Sequence, residues 1–244
     1  MNTLHKRIFV MLFLVNAGTS PVWADNAIYI DQVGSGVDID VTQDGDGNKI
    51  GANDTDDTKM LIDGDNITLS IDAVGDTNKI LGNIVGDDIN FDLDIDGNTN
   101  TLNLSVDPTN TFGASNGDYV ISITGGNNTA DLDVGTNDAA GYLDLDWAID
   151  GDFNSADVEI DVSSATSDID WAGDNNSLTI DVDGYDGHEH TILGAGSYND
   201  LTIDQQSTLQ KDTLSIEVTG SGTTTTSSDI CISQSDSGTA TGCQ

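Results

Sequence analysis

Short runs of alternating apolar and polar residues recur along most of the chain. Val37-Asp38-Ile39-Asp40-Val41, Ile67-Thr68-Leu69-Ser70-Ile71 and Phe91-Asp92-Leu93-Asp94-Ile95 are early examples. Leu143-Asp144-Leu145-Asp146-Trp147, Val158-Glu159-Ile160-Asp161-Val162 and Leu178-Thr179-Ile180-Asp181-Val182 continue the pattern. In an extended chain successive side chains point to opposite faces, so such runs predict half-buried strands. No stretch carries the 3.6-residue period of an amphipathic helix. The expected fold class is all-β.

Turn residues separate these runs at regular intervals. Glycine is followed three places later by asparagine at Gly45/Asn48, Gly75/Asn78, Gly97/Asn100, Gly125/Asn128, Gly151/Asn154, Gly173/Asn176 and Gly196/Asn199. Gly34, Gly64, Gly86, Gly135 and Gly184 mark the turns between them. From Gly64 the steps to Gly75, Gly86 and Gly97 are eleven residues each, and Gly151 to Gly173 is twenty-two. A fixed period of this size signals a stack of repeats, and eleven residues hold one strand and one turn. The pattern predicts a flattened β-solenoid of about eight coils over 26–219, each of two strands and two turns. Longer steps contain insertions at Asn53 to Lys59 and Pro108 to Asp118. Inward positions hold Ile, Leu and Val with Trp147 and Trp171 as larger fillers, and stacked asparagines are expected to bond to one another. The alternative is a β-sandwich, whose loops vary more in length.

The two ends read differently. Residues 1–24 pair a basic start, Lys6 and Arg7, with an apolar Ile8 to Val15 and end in Val22-Trp23-Ala24, the features of a signal peptide. The mature protein is therefore expected to be secreted, with no membrane insertion. The repeat domain spans 25–219. Residues 220–229, rich in Gly, Thr and Ser, read as a linker to a tail over 230–244. In an oxidising compartment Cys231 and Cys243 are expected to pair and clasp that tail.

Charge sharpens this picture. The chain has 43 acids against six basic residues, a net charge of -37, and after the leader the only cations are Lys49, Lys59, Lys79 and Lys211. Such a field repels nucleic acid and anionic lipid, so neither is an expected partner. The acids alternate with aliphatic residues, so the charge coats a β-structure. Stacked coils then place Asp over Asp, and each pair about 4.8 Å apart repels by about 0.9 kcal/mol even in water. Fold or assembly is expected to depend on salt, calcium or acid pH.

Candidate chemistry is sparse. Asp92, Asp94 and Asp96 before Gly97 open like a calcium loop, but the twelfth position is Asn103 in place of a bidentate Glu. The three are at most a carboxylate face for non-specific calcium, and no cofactor is expected. His188-Glu189-His190 lacks a third metal ligand at fixed spacing and reads as a solvated turn. There is no nucleophile elbow, phosphate loop or dinucleotide motif, and no acid pair stands out for glycoside hydrolysis. The expectation is that the protein is not an enzyme.

Gln32-Val33-Gly34 and Gln43-Asp44-Gly45-Asp46-Gly47-Asn48, with their glutamines eleven residues apart, resemble the Gln-x-Gly-x-x-Asn repeat of curlin, the subunit of curli fibres. The Gln-containing form covers about residues 28–50; beyond it glycine and asparagine persist while the Gln position holds Ala73, Ile95, Ile149 and Trp171. The resemblance implies export through an outer-membrane secretion pore and self-assembly, with a minor nucleator subunit, into extracellular amyloid-type fibres of the biofilm matrix. The alternative function is a monomeric acidic β-solenoid that binds calcium, a surface or a glycan.

Overall fold

The computed structural model describes residues 27–45, 47–51, 59–86, 88–106, 117–135, 140–184, 187–197, 199–207, 212–219 and 229–235. The expected leader, nearly all of the expected linker, and Cys243 lie outside the described residues. The chain runs through β1 (Ala27–Ile28), β2 (Asp31–Val33), β3 (Val37–Asp44), β4 (Lys49–Ile50), β5 (Met60–Asp63), β6 (Ile67–Val74), β7 (Lys79–Val85) and β8 (Ile89–Asp96). It continues through β9 (Thr101–Val106), β10 (Gly117–Thr124), β11 (Thr129–Val134), β12 (Ala140–Asp150) and β13 (Ser155–Ala172). β14 (Ser177–Gly184), β15 (Glu189–Ala195), β16 (Asp200–Ser207), β17 (Thr213–Thr219) and β18 (Asp229–Ser235) complete it, with no helix among the described residues.

The ladders between these strands are parallel and skip the intervening strand, which makes the fold a β-solenoid and rules out an antiparallel sandwich. Face A stacks β1 and β2, β4 and β5, β7, β9, β11, the first half of β13, β14, β16 and β18. Face B stacks β3, β6, β8, β10, β12, the second half of β13, β15 and β17. Among the described residues eight face-B strands stack, joined by about seven turns of the chain. β18 pairs with β16, so the strand that begins the expected tail is a further rung of the body.

The short step is twenty-two residues, as from Ile67 to Ile89 and from Ser155 to Ser177. Longer steps include 52–58, 107–116 and 136–139, outside the described residues. One corner needs no glycine: β13 turns from face A to face B at Ser163 and Ser164, where the inward parity shifts from Val162 to Ala165. Ser164 Oγ donates to the Gly187 carbonyl at 3.3 Å there.

Inward residues of both faces meet in one apolar column running the length of the stack. Phe91, Tyr119 and Trp147 are fully buried in its middle, with the Phe91 and Tyr119 rings 6.1 Å apart. Each buried Ile or Leu contributes about 1.5–3 kcal/mol by leaving water. With few aromatics, the core gains its area by repetition along the axis.

Candidate functional site: the stacked edges and the acidic face

Where face B returns to face A, each coil turns on Gly-x-x-Asn, and the asparagines from Asn48 to Asn199 are at most 5% exposed. The Nδ2 groups of Asn48, Asn78, Asn100, Asn128 and Asn154 donate to the glycine carbonyl three residues earlier, at 2.7–2.9 Å. The backbone N–H groups of Asn78, Asn100, Asn128, Asn154 and Asn176 donate to Oδ1 of the next coil's asparagine at 2.8–3.1 Å. Asparagine suits both tasks because its side chain accepts and donates at once and carries no charge. The Gly-x-x-Asn residues singled out in the sequence thus form one amide ladder along this edge.

The glutamines follow another rule. Gln43 is fully buried, and its inward column continues as Ala73, Ile95, Ile123, Ile149, Trp171, Gly194 and Val218. Among the described residues neither amide atom of Gln43 has a hydrogen-bond partner. On face A the inward column reads Gln32, Ile62, Ile84, Val106, Val134, Ile160, Val182, Gln205, and Gln234 takes the same register one rung on. Glutamine stands at both ends of this column and aliphatic residues fill its middle. Sequence reasoning missed this, because the match appears only once the register is known.

Asp92, Asp94 and Asp96 lie exposed in a row along β8. Alternate residues of a strand are about 7 Å apart, too far to wrap one ion together. Across the rungs Asp92 adjoins Ser70 and Val120, and Asp96 adjoins Val74 and Thr124; only Asp94 has a carboxylate neighbour, Asp72. The denser column is on face A, where Asp133, Glu159, Asp181 and Asp204 occupy successive rungs. Partial burial raises the pKa of Asp133, Glu159 and Asp181 above the ordinary carboxylate range, and their carboxylate neighbours push the same way. Lys59 opposes this at Asp133, while its Nζ donates to Ser105 Oγ at 2.9 Å. Asp144 on face B is raised likewise by burial, then by Asp118, Asp168 and Asp146.

A carboxyl whose folded pKa is raised weakens the fold when charged. That cost vanishes as pH falls through the folded value to the ordinary one. Glu159→Gln is therefore expected to stabilise the protein at pH 7 and low salt by about 0.5 kcal/mol, a figure discounted for exposure. Urea midpoints should show the gain shrinking with added NaCl and disappearing near pH 4. A gain unchanged by salt and pH would rule out electrostatic relief as its source.

His188-Glu189-His190 does not form a solvated turn. His188 and His190 are 1% and 2% exposed, with rings stacked 6.0 Å apart inside the solenoid, while Glu189 between them faces out. His190 Nδ1 lies 2.9 Å from Ser167 Oγ. Burial first, and then the nearby His188, lower the His190 pKa to about 3. The available signal was parity: both histidines share the register of inward Ile192.

Cys231, half-buried on β18, is not a free thiol, and its expected partner Cys243 lies outside the described residues. A cavity of about 470 Å³ is lined by Ala148, Asp150, Asp170, Leu193, Gly194 and Glu217, among others. No protein-family model, no curated protein and no solved structure matches the chain.

Proposed function

We propose that the protein is a secreted structural subunit whose copies join end to end into extracellular fibres, in the manner of curlin-like proteins. The observation that carries this reading is the face-A column with glutamine only at its ends. When a second copy continues the stack, Gln205, Gln234 and the next copy's Gln32 occupy consecutive rungs. An in-register amide ladder of the steric-zipper kind then spans the joint.

Two further features support it. The terminal strands of a solenoid are open sheet edges, which pair unless capped. On β18, Ile230 and Ile232 continue the inward columns of Leu201 and Ile203 yet are 46% and 49% exposed. Export through an outer-membrane pore and clasping of the end by Cys231 and Cys243 belong to the same proposal.

A second reading, a monomeric acidic solenoid that binds calcium or a surface, is favoured by the four-rung carboxylate column on face A. Electron microscopy and sedimentation of the mature chain at pH 7 in about 0.5 M NaCl, where charge repulsion is screened, separate the two. Fibres are expected from the wild type. Gly34→Ala should stay monomeric, because a Cβ at Gly34 meets no atom of the described residues and projects from the end where the next copy docks. Wild-type particles that remain single with and without calcium would overturn the fibre reading.

A further inference from the structure

The edge opposite the asparagine ladder is stitched, over the last coils, by groups that titrate. The Ala165 N–H donates to Nδ1 of His188 one coil on, at 3.0 Å. The His188 N–H donates to Oδ1 of Asp212 one coil further, at 2.9 Å. These repeat the connection that runs from Asn100 to Asn128 and from Asn128 to Asn154 on the other edge. In each case a buried backbone donor meets a side-chain acceptor at the δ1 position of the next coil. Ala165, His188 and Asp212 are 1–2% exposed, so water does not supply a substitute.

The chemistry of the two edges differs. An amide oxygen accepts at any ordinary pH. An imidazole that accepts at Nδ1 carries its proton on Nε2, and the imidazolium has no acceptor left. Protonating His188 therefore sets Nδ1–H against Ala165 N–H. The bonds at stake reach beyond one pair, since the His188 carbonyl also accepts from Thr213 N–H at 2.7 Å and Gln205 Nε2 at 3.4 Å. His188 thus joins β13, β16 and β17. In the contacts among the described residues, the titratable groups that meet the histidines are each other and Asp212, and Gly184 of β14 packs against the His188 ring. From β13 they meet Ala165 and Ser167, from β16 Gln205, and on the β17 side of His190 Leu214, none of them charged.

We propose that His188, His190 and Asp212 form an acid-released latch that holds the last coils, β15 to β18, onto the body of the solenoid. The latch holds with both rings neutral: His188 accepts at Nδ1 only as the uncharged ring, and burial keeps His190 uncharged at pH 7. Its stabilisation is present above the free-imidazole value of 6.5 and is lost as pH falls toward the lowered His190 value of about 3. Two adjacent imidazolium rings with one carboxylate between two coils cannot both be accommodated dry, so the coils separate. The latch operates in a single copy and stands whether or not copies join into fibres.

The test is site-resolved amide hydrogen exchange on the monomeric protein from pH 7 to pH 4, with the asparagine edge as internal reference. Protection at the Ala165 and His188 amides, relative to Asn100, Asn128 and Asn154, is expected to fall about tenfold per pH unit below 6.5. In H188N/H190N an amide oxygen takes the place of each Nδ1, and the two edges should then lose protection together. If that variant does not fold, the edge-to-edge comparison in the wild type still decides. Wild-type amides 165 and 188 that keep pace with the asparagine edge down to pH 4 would overturn the latch. Acid loss persisting unchanged in the folded double variant would do the same.

Discussion

Asn128→Ala should cost about 3–5 kcal/mol, far more than an exposed turn residue. Its side chain holds two buried groups at once: Oδ1 takes the Asn100 N–H at 2.9 Å, and Nδ2 donates to the Gly125 carbonyl at 2.7 Å. Each group left without a partner in a dry site costs about 1–3 kcal/mol, and the missing amide leaves a small void besides. Asn128→Asp gives a second handle. It keeps the acceptor but sets a carboxylate oxygen against the Gly125 carbonyl, so it should be at least as damaging at pH 7. Protonated, the same side chain donates again, and the deficit relative to wild type should narrow in acid. Urea unfolding at pH 7 and pH 4 measures both. An Ala variant within 1 kcal/mol of wild type would mean that the ladder is ornamental.

The fold was legible because its signals are local. Alternation in Ile67 to Ile71 fixes a strand, Gly75 and Asn78 fix a turn, and the eleven-residue step between turns fixes a coil. The asparagine ladder followed, since residues at equivalent turns of a stack must meet. What was not legible depends on register. Asp133, Glu159, Asp181 and Asp204 are separated by steps of 26, 22 and 23 residues, so their column appears only when the length of every intervening loop is known. Asp92, Asp94 and Asp96, adjacent in sequence, drew attention to a row along one strand, whereas carboxylates interact most strongly across rungs.

The histidines failed for a different reason. His188, Glu189 and His190 are all polar, so their own polarity does not mark which point inward, and only the parity carried back from Ile192 does. Ser163 and Ser164 likewise hide a corner that elsewhere carries glycine. In both places polar side chains stand at interior or corner positions and hydrogen-bond to backbone groups of neighbouring coils. Polarity in this sequence therefore marks two separate things, the solvated faces and the stitches between coils.

Gly97→Ala should be the most damaging small substitution, at about 4 kcal/mol or more. Gly97 has φ +153°, a region essentially closed to other residues, which alone costs about 1–3 kcal/mol for Ala. A Cβ there would also lie 2.7 Å from the carbonyl carbon of Gly75 in the coil beneath, and would overlap the carbonyl oxygen. That carbonyl cannot swing away freely, because it accepts the Asn78 Nδ2 bond at 2.9 Å. Relief of the overlap therefore breaks a rung of the asparagine ladder. Gly34 supplies the comparison: its φ is +129°, yet a Cβ there meets nothing within 4 Å because none of the described coils lies beneath it. Gly34→Ala in the monomer should cost only the backbone term, and the difference between the two variants measures the steric demand of one coil upon the next. Equal losses by urea unfolding would mean that backbone strain alone sets the glycine requirement. In a fibre Gly34 has a coil beneath it, so the same substitution that the monomer tolerates should there become as costly as Gly97→Ala.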